Sequence, residues 1–142
     1  MKRKTKRSVS QKEKDKFVKT ILSFLEHHQE INTVYLFGSF LSGESFADID
    51  LGLLLKYTPE NLFEYEVEIE LELEKRVNIA IDVRVLNNAP VSFVQNVIRH
   101  GKVILDMEPN IRSDFESYSL RKYFDFVSFR RRYLSEVIDA QI

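Results

Sequence analysis

The stretch Tyr35-Leu36-Phe37-Gly38-Ser39, followed after a short polar loop by Asp48-Ile49-Asp50-Leu51-Gly52-Leu53-Leu54-Leu55, decides the reading of this chain. An apolar run ends in Gly-Ser, and two aspartates open a second apolar run. Alternate side chains of a strand share a face, so Asp48 and Asp50 are expected to project together. Gly38 removes a side chain where the backbone turns sharply or comes close to a ligand, and Ser39 adds a hydroxyl and an N–H. Two carboxylates beside such a turn can hold Mg²⁺ against phosphates. Each part also suits an ordinary solvated turn; the conjunction is the specific signal.

A third carboxylate lies in Asn78-Ile79-Ala80-Ile81-Asp82-Val83-Arg84-Val85-Leu86. Ile79, Ile81, Val83 and Val85 form one apolar face of a strand, which leaves Ala80, Asp82 and Arg84 on the other. If that strand lies beside the Asp48–Asp50 strand, the three carboxylates converge.

Outward from these two strands, the pattern predicts a helix from about Ser10 to His28, with Phe17, Val18, Ile21, Leu22, Phe24 and Leu25 on one broad face and Ser10 as cap. Thr33–Phe37 is strand one, the Gly38–Ala47 loop follows, and Asp48–Leu55 is strand two. From Glu64 to Glu74 acidic and apolar residues alternate strictly, a strand by period. Repeated Glu suits a helix better, and two parallel strands need a crossover that is usually helical. A helix there puts Leu62, Tyr65, Ile69, Leu73 and Arg76 along one stripe. Pro90 is expected to open a helix that ends at Gly101, and Lys102–Leu105 a fourth strand. Pro109 then opens a long helix to about Ala140. It carries two apolar stripes, Phe115–Tyr123–Phe126–Tyr133–Val137 and Leu120–Phe124–Val127–Leu134–Ile138. One can pack on the sheet and leave the other for a partner chain; a core helix of a monomer is the competing reading.

Gly38-Ser39, Asp48-x-Asp50 and the later strand residue Asp82 resemble the signature of the nucleotidyltransferase superfamily that includes DNA polymerase beta. The chain is similar to its minimal branch, the MNT proteins. The passages Asp82–Pro90 and Val97–Leu105 resemble the third-strand, helix and fourth-strand segment of that branch. Ile111–Glu116 and Tyr123–Phe126 resemble the C-terminal helix of the MntA-like antitoxins, which are encoded beside HEPN-type RNase toxins. The resemblance spans most of residues 17–139. It implies an α/β (α+β) nucleotidyltransferase fold: a small mixed sheet of about four strands, flanking helices and a long C-terminal helix.

The resemblance further implies catalysis and metal binding by Asp48, Asp50 and Asp82, and nucleotide binding by Gly38 and Ser39. It implies two Mg²⁺ ions as cofactor, ATP as donor and, as acceptor, a tyrosine of a HEPN toxin that adenylylation would silence. Two features depart from the family pattern. The loop Phe40–Ala47 is shorter than usual, and Ser42 stands before Gly43 where a basic residue is often found. Lys56, Arg84 or Lys102 are candidate replacements. The alternatives are an antitoxin that neutralises by binding alone, and transfer to a small molecule, against which the lack of a second domain argues.

At 142 residues, 44% hydrophobic and 30% charged, the sequence is ordinary for one globular domain, assigned to residues 10–142. The absence of cysteine excludes disulfides and thiolate metal sites. No apolar run approaches the ~20 residues that span a bilayer, so no membrane role and a cytoplasmic location are expected. The net charge of −1 hides a basic start: Lys2, Arg3, Lys4, Lys6, Arg7, Lys12, Lys14 and Lys16. Residues 1–9 are expected to be a solvated, disordered arm. The acidic block Glu60–Glu74 speaks against nucleic acid as a partner. Homo- or hetero-oligomers through the C-terminal helix are the expected assembly.

Overall fold

A computed structural model describes residues 4–43 and 45–140. The elements are α1 (Gln11–Leu25), β1 (Ile31–Phe37), α2 (Ser39–Ser42), β2 (Asp48–Leu55), α3 (Leu62–Val77), β3 (Ala80–Val85), α4 (Val91–His100), β4 (Lys102–Asp106) and α5 (Pro109–Ala140). The strands form one mixed sheet in the order β3-β2-β1-β4. The expected fold class, with its four strands and long last helix, is the one found. Among the described residues no helix is long and apolar enough to cross a membrane.

Alternation along the strands divides the core between the two faces of the sheet. Val34 and Leu36 of β1, Ile49, Leu51 and Leu53 of β2, and Ile81, Val83 and Val85 of β3 are buried with Ile21 and Leu25 of α1 and Ile69 and Leu73 of α3. On the other face Tyr35 packs with Leu86 and Val97, and against Phe37, Phe93, Val103 and Phe115. That second face carries Asp48, Asp50 and Asp82. Helices α4 and α5 pack against β1 on this face, and the aspartates are left half-buried.

The acidic segment Glu64–Glu74 is a helix, as parallel pairing of β2 with β3 requires. Its alternation has a physical purpose that strand periodicity conceals. Glutamates at every second position fall, on a helix, into two rows spaced four apart. The row Glu66, Glu70, Glu74 faces the free edge of β3. Val85 N–H donates to Glu66 Oε2 at 2.8 Å, Val83 N–H to Glu70 Oε2 at 2.8 Å, and Ile81 N–H to Glu74 Oε2 at 3.1 Å. Three unpaired edge donors are thereby satisfied, and the edge is closed to further strands. In the other row, Glu72 accepts from Lys75 and Arg76 in solvent. Leu62, Tyr65, Ile69 and Leu73 form the expected core stripe, while Arg76 lays its guanidinium 4.2 Å from the Phe24 ring centroid.

Boundaries shift in places. Helix α1 stops at Leu25 rather than His28, because the chain tightens into a turn there, with His28 N–H donating to Leu25 O. Ser10 caps its start by accepting from Glu13 N–H. Pro90 is the cap of α4 and not its first residue, its ψ of 141° being extended. The loop after β1 contains the helical turn α2. Helix α5 is anchored only near its start, where Arg112 binds Asp106 and Glu116, and Tyr35 donates to Glu116. From Leu120 onward both apolar stripes lie largely open: Phe124, Phe126, Tyr133, Leu134 and Ile138 are all exposed, as is Phe129 between them. The core-helix reading of that segment does not hold.

The edge contacts carry a prediction. Glu70→Ala strands the Val83 N–H at a covered edge and should lower stability by about 1–3 kcal/mol, whereas Glu70→Gln keeps a carbonyl acceptor and should recover most of it. Urea unfolding of both variants measures the difference.

Candidate active site

The aspartates meet because of strand register. Asp48 stands opposite Ala80 and Asp50 opposite Asp82 in the parallel β2–β3 pair. One carboxylate oxygen from each of Asp48, Asp50 and Asp82 lies within 4.8 Å of the others. All three are carboxylates, the hard oxygen donors that Mg²⁺ prefers, so the residues present fit a divalent cation.

Gly38 ends β1 next to Phe37, whose register partner is Asp50. Its φ is +79°, a left-handed conformation that costs other residues, and a Cβ there would collide with the Asp50 carboxylate. Glycine is therefore required twice over, by backbone and by space. The turn α2 starts at once, so Ser39 stands in its first turn, where N–H groups have no helical partner. Gly38 and Ser39 thus lie directly beside the aspartate cluster.

Two lysines of the basic N-terminal stretch matter here, and neither was singled out by the sequence patterns. Lys14 belongs to α1 and is nearly buried. Its ammonium donates to Phe40 O at 2.7 Å and Gly43 O at 3.0 Å and lies 5.2 and 5.6 Å from the Phe40 and Phe46 ring centroids. It therefore clamps the short loop from below. Lys4 lies in the segment expected to be a solvated arm. Backbone hydrogen bonds between Arg7 and Phe46, at 2.8 and 2.9 Å, strap that segment to the loop. Lys4 Nζ sits 2.9 Å from Asp48 Oδ2 and 3.1 Å from Asp82 Oδ2.

Among the described residues, none of the three cations named as replacements for the missing loop residue pairs with the aspartates. Lys56, beyond the far end of β2, faces Glu108 at 3.9 Å. Arg84, two residues past Asp82 on the same face, stacks over Phe93 at 4.9 Å. Lys102 lies at the start of β4, opposite Leu36. A lysine before α1 gave no periodic or motif signal; only its basic character was visible.

Crowded carboxylates titrate against one another. Burial, then the charges of Asp48 and Asp82, pushes Asp50 up to about 6. Asp82 is raised by its hydrogen bond with Asp48 and by burial. Burial acts upward on Asp48 as well, but the hydrogen bonds from Asp82 and Lys4 carry it below the ordinary range. Hydrogen bonds to both aspartates raise Lys4 and fix its positive charge.

A family model described as Polymerase beta, Nucleotidyltransferase matches residues 19–110. No curated protein matches the chain. Among solved structures, a chain of the toxin–antitoxin MntA–HepT crystal structure is 21% identical, with a TM-score of 0.66 over 91% of this chain and 99% of that one. A chain from the complex of tri-AMPylated Shewanella oneidensis HEPN toxin with MNT antitoxin is 22% identical, with a TM-score of 0.66 over 90% and 98%. A chain of a toxin–antitoxin structure with AMP-PNP is 22% identical, with a TM-score of 0.69 over 88% and 98%. At these identities the likeness is one of fold.

The titration of Asp50 gives a second prediction, for metal-free protein. A carboxyl raised in the fold stabilises it fully below the unfolded value of ~4, and that contribution is lost as pH rises through about 6. The Tm of Asp50→Asn relative to the native chain should therefore climb between pH ~4 and ~6 and stay level above. A gain of roughly a few degrees is expected by calorimetry.

Proposed function

This chain belongs to the polymerase beta nucleotidyltransferase family, and on that premise we propose that it is a Mg²⁺-dependent antitoxin that transfers AMP from ATP to a tyrosine of a HEPN-type RNase toxin. The observation that carries the reading is the in-register Asp50–Asp82 pair, joined by Asp48 and bordered by Gly38-Ser39.

Asp48 and Asp50 would hold the metal ions, with Asp82 completing the second position. Bound there, Mg²⁺ would neutralise charge on the triphosphate and on the attacking and leaving oxygens. Ser39 and the backbone N–H groups of the α2 turn would orient the β- and γ-phosphates, since phosphoryl transfer depends chiefly on alignment and electrostatics. Gly38 leaves room for that approach. Asp82, facing the acceptor, would orient the tyrosine hydroxyl and take its proton. The phenol oxygen forms a bond to the α-phosphorus, the bond from that phosphorus to the bridging oxygen breaks, and pyrophosphate departs. The exposed aromatic face of α5 would contact the toxin, and the neighbours in toxin–antitoxin crystals support that assignment by fold likeness.

Mass spectrometry of a HEPN toxin incubated with this chain, ATP and Mg²⁺ should reveal added AMP. Asp48→Asn, Asp50→Asn or Asp82→Asn should each slow the transfer by about 10²–10³-fold. An unmodified toxin would defeat the enzymatic reading. The open face of α5 and the absence of a loop cation favour one second reading, neutralisation by binding alone. A double variant, Asp48→Asn with Asp50→Asn, separates the two: full neutralisation of the toxin by that variant would mean that contact suffices.

A further inference from the structure

Lys4 stands outside the residues that resemble the family, yet its ammonium bridges two of the three carboxylates of the cluster. Its place is not an accident of a free terminus. Arg7 and Phe46 exchange two backbone hydrogen bonds, and Phe46 is buried edge-on against Phe40, so the strap is fastened to a rigid point two residues before Asp48. Thr5 and Lys6 then lead back from Arg7 to Lys4 at the site. Its Nζ binds one oxygen each of Asp48 and Asp82. A lysine ammonium is a compact point charge with three donors, the closest that a side chain comes to a cation in such a site. Its side chain is 53% exposed, and among the described residues the strap's two hydrogen bonds are the backbone ties of this part of the segment. Lys4 can therefore leave the cluster without disturbing the core.

We propose that Lys4 is a tethered counter-ion that occupies the carboxylate cluster until a divalent cation displaces it, so that the N-terminal strap sets the cation concentration at which the site loads. The inference rests on reading the three aspartates as the metal site. The electrostatics are direct. Lys4 neutralises part of a charge that would otherwise draw in the metal, and it occupies oxygens that the metal needs. Both effects weaken loading and vanish with the ammonium. In exchange, Lys4 offsets carboxylate repulsion in the metal-free protein.

Calorimetric titration of the full chain with Mn²⁺ alone, without nucleotide, tests this. Lys4→Ala and Lys4→Gln should bind Mn²⁺ more tightly, on the order of tenfold. Lys4→Arg keeps the charge and should stay near the native affinity. Arg7→Pro removes a strap donor and should shift affinity the same way as Lys4→Ala, by less. Thermal unfolding supplies a second readout: Lys4→Gln should melt lower than the native chain without metal and gain more from added Mn²⁺. Equal or weaker binding by both neutral variants, while the native chain binds, overturns the role of Lys4 and leaves the metal site standing. An absence of Mn²⁺ binding in every variant and in the native chain overturns both.

Discussion

The parallel pairing of β2 with β3 places Asp50 directly opposite Asp82, with Asp48 two residues upstream, and so forces like charges together on a half-buried sheet face. Such an arrangement costs stability wherever nothing compensates it. Much of the surrounding structure is its compensation. The pairing needs a crossover, which α3 supplies. It leaves β3 at the edge of the sheet, and the glutamates of α3 close that edge by accepting from its outward N–H groups. On the site's own face, Lys4 supplies the opposite charge. Acidic residues therefore serve two unlike purposes around a single strand. On one side they satisfy backbone donors, and on the other they gather charge for chemistry.

The loop that borders the cluster is short, and its geometry is correspondingly determined. Gly38 must adopt a positive φ and must lack a side chain, because the Asp50 carboxylate fills that space. The helical turn that follows ends on carbonyls that Lys14 gathers from the core side. An ammonium buried among carbonyls and aromatic rings is held by hydrogen bonds and by the ring quadrupoles. The chain has thus placed one lysine beneath the loop and another above the site, and neither belongs to the loop itself.

Helix α5 follows a different logic. Its first turns are fixed by Tyr35, Arg112 and Glu116, and Phe115 joins the core. Beyond them the body of the domain no longer lies alongside. Aromatic residues stay in contact with water there, at an energetic cost that a partner surface would remove. The aspartate cluster and the exposed helix flank the same sheet face, the cluster beside the C-terminal end of β1 and α5 starting beyond its N-terminal end.

Local pattern was enough to determine the strands, the Gly-Ser turn, the placement of Asp82 on the face opposite Ile81 and Val83, and the existence of two stripes on α5, whereas the period of Glu64–Glu74 pointed to a strand where the chain forms the helical crossover. Each depends on the period of apolar side chains or on the conformational limits of glycine and proline, which a sequence states openly. Tertiary structure alone decided which strand lies beside which, and hence that Asp50 and Asp82 share a register. It also decided that Glu66, Glu70 and Glu74 meet a strand edge, that Lys14 is buried while Lys4 reaches the carboxylates, and that both stripes of α5 remain open. These outcomes depend on contacts between residues far apart in the chain, as Lys4 and Asp82 are, and on which surfaces other elements happen to cover. Neither leaves a trace in local periodicity.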